Sequence, residues 1–186
     1  MNIILTGMKH CGKSTHGRFL AQHLNWTFFD TDTLLEDYYR KAYCSSLNCR
    51  EIYRKVGEAV FRKLEYNLIE FMVDKTTHST SNSVIALGGG LIANQAVQPM
   101  LHELGVVTFL KVQYDVLYKR IIRKGIPPFL DHKRPYESFI EICSEREQYY
   151  IENARLTIEL DNLSMRAASR CIIANIERYI NEQHNR

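Results

Sequence analysis

The chain has 186 residues, 45% of them hydrophobic and 24% charged, values near those of ordinary globular domains that exclude a disordered or fibrous class. Its 24 basic and 21 acidic side chains leave a net charge of +3, spread without blocks of like sign. This argues against a dedicated nucleic-acid binder while suiting an anionic nucleotide locally. One core suffices for this length, so residues 1–186 are expected to form a single domain burying about 70% of the surface of the unfolded chain.

The opening segment Asn2 to Thr6 is a short apolar run ended by Gly7, and from Lys13 a helical pattern carries Phe19, Leu20 and Leu24 on one side. A second apolar segment, Trp26 to Phe29, ends at Asp30 and gives way to a helix through Leu34, Leu35, Tyr38 and Tyr39. Glu58 to Val73 spaces Ala59, Phe61, Leu64, Leu68, Ile69 and Met72 as one long helix. Ser83 to Leu87 is a buried-strand candidate breaking into Gly88-Gly89-Gly90, and Val106 to Lys111 is another, followed by a helix over Tyr114 to Arg123. Gly125-Ile126-Pro127-Pro128 forbids helix. Tyr136 to Asn153 resumes it, Leu156 to Leu160 alternates as a last strand, and Ser164 to Asn181 closes the chain as an amphipathic helix. Five short strands alternating with helices predict a three-layer α/β/α fold around a parallel five-stranded sheet. The least regular stretches are Cys44 to Asn48, Thr76 to Asn82 and Gly125 to Arg134, the last being the expected mobile lid.

Met1 to Gly7 carries no basic leader, and no stretch approaches the roughly 18 apolar residues of a membrane span, so a cytoplasmic protein without a membrane partner is expected. Cys11, Cys44, Cys49, Cys143 and Cys171 are odd in number and lack the paired spacing of a zinc site, and they read as reduced thiols.

Gly7-Met8-Lys9-His10-Cys11-Gly12-Lys13-Ser14 fits G-x-x-x-x-G-K-[ST] and stands after a strand and before a helix, where such a loop wraps phosphate oxygens with backbone amides. Lys9, His10, Cys11, Gly12, Lys13, Ser14 and Thr15 are therefore the expected nucleotide contacts, with Lys13 on the β and γ phosphates and Ser14 on magnesium. ATP and Mg2+ are the implied ligands. A thiolate-favouring position at the helix start makes Cys11 a site whose alkylation is expected to block nucleotide binding. Asp30-Thr31-Asp32 puts two carboxylates on the carboxyl edge of the sheet, where strand alternation lets both point the same way, one to metal and one to a substrate hydroxyl, although either taken alone could instead cap the following helix. Arg62 and Glu65 lie three apart on one helix face, an arrangement that an exposed ion pair also explains. Gly88, Gly89 and Gly90 allow close approach of a ligand to the backbone, or form a plain turn.

The P-loop, the Asp-Thr-Asp after the second strand, Gly57-Glu58-Ala59-Val60-Phe61-Arg62-Lys63-Leu64-Glu65 and the triple glycine stand in the order and near the spacings of the shikimate kinases, and over nearly its whole length the chain resembles that family. The resemblance implies that Asp32 binds shikimate hydroxyls and assists the attacking oxygen, that Asp30 supports magnesium, and that Arg62 and Arg146 grip the carboxylate. It also implies substrate contacts from Gly89 and Gly90 and adenine stacking by Arg120, within a layout whose substrate-binding helical region is expected over about 32–62; a monomer is the expected state. The family's lid carries an Arg-Pro pair, whereas Pro127 stands at the arginine position here. A basic residue nearby, Arg123, Lys124, Lys133 or Arg134, is expected to replace it. Two alternatives stay open: a kinase of the same fold acting on another small hydroxy-acid such as gluconate, and an ATP-binding regulatory relative without efficient transfer.

Overall fold

The computed structural model describes residues 1–77, 81–123, 125–126 and 130–185. Five strands, β1 (Asn2–Thr6), β2 (Thr27–Asp30), β3 (Ser83–Ala86), β4 (Val106–Lys111) and β5 (Leu156–Glu159), form one sheet in the order β2-β3-β1-β4-β5. All four neighbouring pairs are parallel. Each crossover therefore carries helix: α1 (Lys13–Leu24) between the first two strands, α2 (Thr31–Tyr43), α3 (Cys49–Val56) and α4 (Glu58–Thr77) before β3, and α5 (Gln98–Leu104) before β4. Then come α6 (Tyr114–Ile121) and α7 (Pro135–Asn153) before β5, and α8 (Met165–His184) ends the fold. A parallel strand cannot return without such a crossover, so topology and helix count go together.

The central strands are apolar on both faces, as a sheet covered on both sides requires: Ile3, Ile4, Leu5, Val84, Ile85 and Leu110 are all buried. The helix α1 packs on β3 and on α8, and comes so close at Gly17 that a Cβ there would lie 2.6 Å from the Phe28 ring and 3.3 Å from Leu5. Elsewhere α5 lies on β4 and against α4, and α7 on β4. A second, smaller cluster of Leu35, Tyr39, Ile52 and Phe61 forms where α2, α3 and α4 meet. It gives the expected helical region of about 32–62 a core of its own.

Several boundaries differ from the expectations. The helix α4 runs to Thr77, into the stretch expected to be irregular, and α6 stops at Ile121 rather than Arg123. The short helices α3 and α5 were not expected. An Asn48 and Glu51 capping box starts α3, and Asn48 to Glu51 is the reciprocal pairing that satisfies two orphan amides of a helix start. In the expected lid, Gly125, Ile126 and 130–134 are described; Lys124, Pro127, Pro128 and Phe129 lie outside the described residues. Among the described residues no helix is long and apolar enough to cross a membrane.

Candidate active site

The loop after β1 turns through left-handed conformations at Gly7 (φ 140), His10 (φ 67) and Gly12 (φ 100). At Gly7 a Cβ would also stand 2.7 Å from the Leu110 carbonyl oxygen, so glycine is required there on two counts. Gly12 caps α1 without a side-chain hydrogen bond, and the first turn holds no acidic residue. The amide ends and the positive pole of the helix dipole are left to the loop. Within it, the buried Lys13 donates from Nζ to Gly7 O (2.7 Å) and Met8 O (3.1 Å). Lys9 and His10 sit exposed on the crest, and Thr15 is exposed at the start of α1. Arg120, from α6, reaches across to donate to His10 O at 3.0 Å. The Cys11 side chain is only 1% exposed and belongs to the main core. An alkylating reagent therefore finds little open surface at this thiol. His16, missed by sequence reasoning, buttresses the loop from beneath: a Cβ at Gly12 would lie 2.7 Å from its ring, and its Nδ1 is 2.9 Å from Ser169 Oγ. Burial, then the charge of Arg120, pushes the pKa of the His16 imidazole down.

Asp30 and Asp32 meet for a different reason from the expected strand alternation. Asp30 ends β2 and caps α2, its Oδ1 accepting from the Asp32 amide at 3.1 Å, and Asp32 is already in the first helical turn. The other Asp30 oxygen accepts from Ser14 Oγ at 2.5 Å, so the residue joins the acidic pair to the P-loop as well as capping. The Asp32 carboxyl lies over Gly88, where a Cβ would collide with Oδ1. Thr31, buried between the two carboxylates in sequence, accepts from the Gly88 amide at 2.8 Å. Although Asp32 is exposed as a residue, this inward placement of its carboxyl raises its pKa, by desolvation first and the charge of Asp30 second, with Lys13 and Lys9 opposing.

The triple glycine is where the rest of the site converges. Gly89 packs on Lys9, a Cβ there falling 3.4 Å from the Lys9 amide nitrogen, and the Gly90 carbonyl accepts from Arg62 Nη1 at 3.1 Å. The same Nη1 donates to Glu65 Oε2 at 2.9 Å. The ion pair is not the exposed one that sequence alone also allowed: Glu65 is only 5% exposed, and Asn94 Nδ2 completes it with bonds to Glu65 Oε2 (3.3 Å) and Arg62 O (2.9 Å). Burial raises the Glu65 carboxyl while Arg62 and Asn94 hold it back. Arg146 is half-buried on α7, close enough for its charge to act on Tyr150 and Cys143. The fold thus gathers Lys9, Lys13, Ser14, Asp30, Asp32, Arg62 and the three glycines along the carboxyl edge of β1, β2 and β3, with Arg120 over the crest. Asn94 and Thr31 had no signal of their own in the sequence beyond their neighbours.

The arrangement combines a phosphate cradle with a carboxylate and a buttressed guanidinium facing the adjacent turn, a layout suited to phosphoryl transfer onto a small anionic acceptor. Comparison with known proteins agrees. The shikimate kinase family model matches residues 9–177. A shikimate kinase of Caldanaerobacter subterraneus is 35% identical over 149 residues, covering 80% of this chain and 81% of that protein. Among solved structures, the shikimate kinase of Bacteroides thetaiotaomicron superposes with a TM-score of 0.79 at 25% identity, over 97% of this chain and 98% of that one. The Acinetobacter baumannii shikimate kinase, solved in complex with shikimate, gives 0.76 at 27% identity over 98% and 93%. With the family model matched over residues 9–177 and a relative 35% identical over 80% of the chain, in one parallel α/β fold, the chain belongs to the shikimate kinase family.

Proposed function

We propose that this chain transfers the γ-phosphoryl group of ATP to a ring hydroxyl of shikimate, giving shikimate 3-phosphate and ADP. The observation that carries the reading is the convergence on one turn, beside the P-loop lysine, of Asp32 at Gly88 and Arg62 at Gly90. A carboxylate base and a carboxylate-binding guanidinium are the two groups a hydroxy-acid acceptor demands.

In this mechanism Lys13 exchanges its bonds to Gly7 and Met8 carbonyls for β and γ phosphate oxygens, and the amides at the start of α1 hold the remaining charge. Arg120 covers the adenine side of the loop. Arg62 and Arg146 take the acceptor carboxylate, the former held ready by Glu65 and Asn94. Asp32 accepts the hydrogen bond of the acceptor hydroxyl. As the hydroxyl oxygen bonds to the γ-phosphorus and the bond to the β-phosphate oxygen breaks, its proton passes to the Asp32 carboxylate, whose raised pKa suits it to the task. Ser14 Oγ and Asp30 Oδ2, hard oxygen donors hydrogen-bonded at 2.5 Å at the loop mouth, would hold a magnesium ion. When bound, that ion neutralises charge on the phosphates.

ADP release is to be measured with ATP and magnesium, comparing shikimate, gluconate and no acceptor, with Lys13→Ala as control. Turnover with shikimate that Lys13→Ala abolishes is the expected result. Turnover with gluconate instead, or ATP binding without acceptor-dependent turnover, overturns the proposal.

A further inference from the structure

Behind the triple-glycine turn stands a side chain given no role above. Tyr150, on α7, is fully buried, and its ring stacks on Phe109 of β4 with centroids 5.0 Å apart and planes 22° from parallel. Its hydroxyl donates to the carbonyl of Gly89 at 2.7 Å and lies 3.7 Å from the Met8 sulfur of the P-loop. A buried phenol that donates its one proton to a glycine carbonyl holds that peptide's orientation, because losing the bond would leave a polar group of the core without its partner. The neighbouring peptide is the one whose carbonyl, Gly90 O, accepts from Arg62. One helical turn before Tyr150, on the same face of α7, lies Arg146.

We infer that Tyr150 is a positioning residue for the acceptor: its hydroxyl, bonded to Gly89 O, locks the triple-glycine turn so that Arg62 and Arg146 keep a fixed distance from the P-loop. Glycines have no side chains to hold a turn in place, and three in a row lose the most conformational entropy when ordered. The turn's ends have other partners: Leu91 N donates to Gly88 O (3.1 Å), Ala93 N to Gly90 O (3.2 Å), and the Gly88 amide to Thr31 Oγ1 (2.8 Å). Tyr150 fastens its middle to the main core, and the sulfur contact to Met8 sets that point against the nucleotide loop. As the hydroxyl touches neither reacting atom, its effect runs through Arg62 and the glycine backbone.

The inference rests on the acceptor reading, and Tyr150→Phe tests it while keeping the ring and its stack on Phe109. The variant is expected to lower kcat/KM for shikimate about tenfold, through a raised KM and a lower kcat, while KM for ATP stays within about twofold. A fold-wide packing role would instead move both substrates together, and that result, or unchanged shikimate kinetics, overturns the inference. Should the wild-type chain not turn over shikimate, the acceptor reading is what fails, and amide exchange decides the positioning role. Faster exchange at Leu91, Ala93 and Asn94 in Tyr150→Phe, with β1 and β3 unchanged, supports it; wild-type rates at those three amides sink it.

Discussion

At the residue scale, the most exacting contact is Asp32 against Gly88. Any side chain at Gly88 would occupy the space of the Asp32 carboxyl, so Gly88→Ala is expected to displace that carboxylate and lower kcat by about 10²-fold, the scale at which misplacing a catalytic group acts. A kinetic assay showing wild-type kcat would mean that Asp32 has no fixed position to lose. Asp32→Asn should cut kcat by roughly 10²–10⁴-fold if the carboxylate takes the proton. Stability should move the other way. Because the folded-state pKa of Asp32 is raised above its ordinary value of 3.8, the folded protein holds the proton more tightly than the unfolded chain. Stability is then fully present below that ordinary value and declines as pH rises through the folded pKa. Asn cannot ionise, so Asp32→Asn should melt higher than wild type at pH 7 and lose that advantage near pH 3.8. A variant that melts lower at pH 7 would contradict the assignment of desolvation as the main cause. The identities of these residues were legible in the motifs, and so was capping as an alternative for either carboxylate; that Asp30 caps while also bonding Ser14, and that a helix start rather than strand alternation places Asp32, was not.

At the element scale, α3 and β4 carry separate tests. The helix α3 does carry an apolar stripe, Cys49, Ile52, Tyr53 and Val56, but at eight residues it is shorter than the window over which a helical period is read, which is why sequence reading passed over it. Its local stability leans on the capping box, with Glu51 N donating to Asn48 Oδ1 at 3.1 Å and Asn48 N to Glu51 Oε2 at 2.9 Å. Asn48→Ala is expected to cost about 1 kcal/mol, a fall of about 2–4 °C in melting temperature for a domain of this size by calorimetry. An unchanged melting temperature would show that the cap is made only after packing has fixed the helix. In β4, Thr108 is fully buried and its Oγ1 has no hydrogen-bond partner among the described residues. Replacing that hydroxyl by a methyl of similar size removes a desolvated polar atom, so Thr108→Val should stabilise the protein by about 1 kcal/mol. Denaturant titration showing a loss instead would point to a buried water on that hydroxyl. The helix α5 escaped notice for a related reason: seven residues that include a proline give no measurable period.

At the scale of the whole molecule, the site lies between two bodies of unequal strength. The main core takes in residues of all five strands and, through Ile69 and Met72, the later half of α4, whereas α2, α3 and the start of α4 share a cluster of four buried residues. Opening free energies should follow: amides of α2 and α3 are expected to exchange with solvent well before those of β1 and β4 in native-state hydrogen exchange. Equal protection across both would mean that the small cluster opens only with the rest of the protein. Such a gradient lets the acceptor side adjust while the phosphate cradle, rooted in β1, stays rigid.

The sequence by itself determined the parallel sheet, its five strands and the order of the motifs, because those follow from local periodicity, glycine and proline punctuation, and a P-loop whose spacing is its mechanism. Tertiary structure alone decided which polar groups support which. Asn94 completes the Arg62 and Glu65 pair from 29 residues beyond Glu65, Tyr150 reaches Gly89 across 61 residues, and His16 finds Ser169 across 153. Contacts of that range depend on how crossovers stack helices on a twisted sheet, which no short window of residues encodes. Burial, too, is a property of the assembled fold: it turned Glu65 from half of a surface pair into a buttress, and closed the Cys11 sulfur off from solvent.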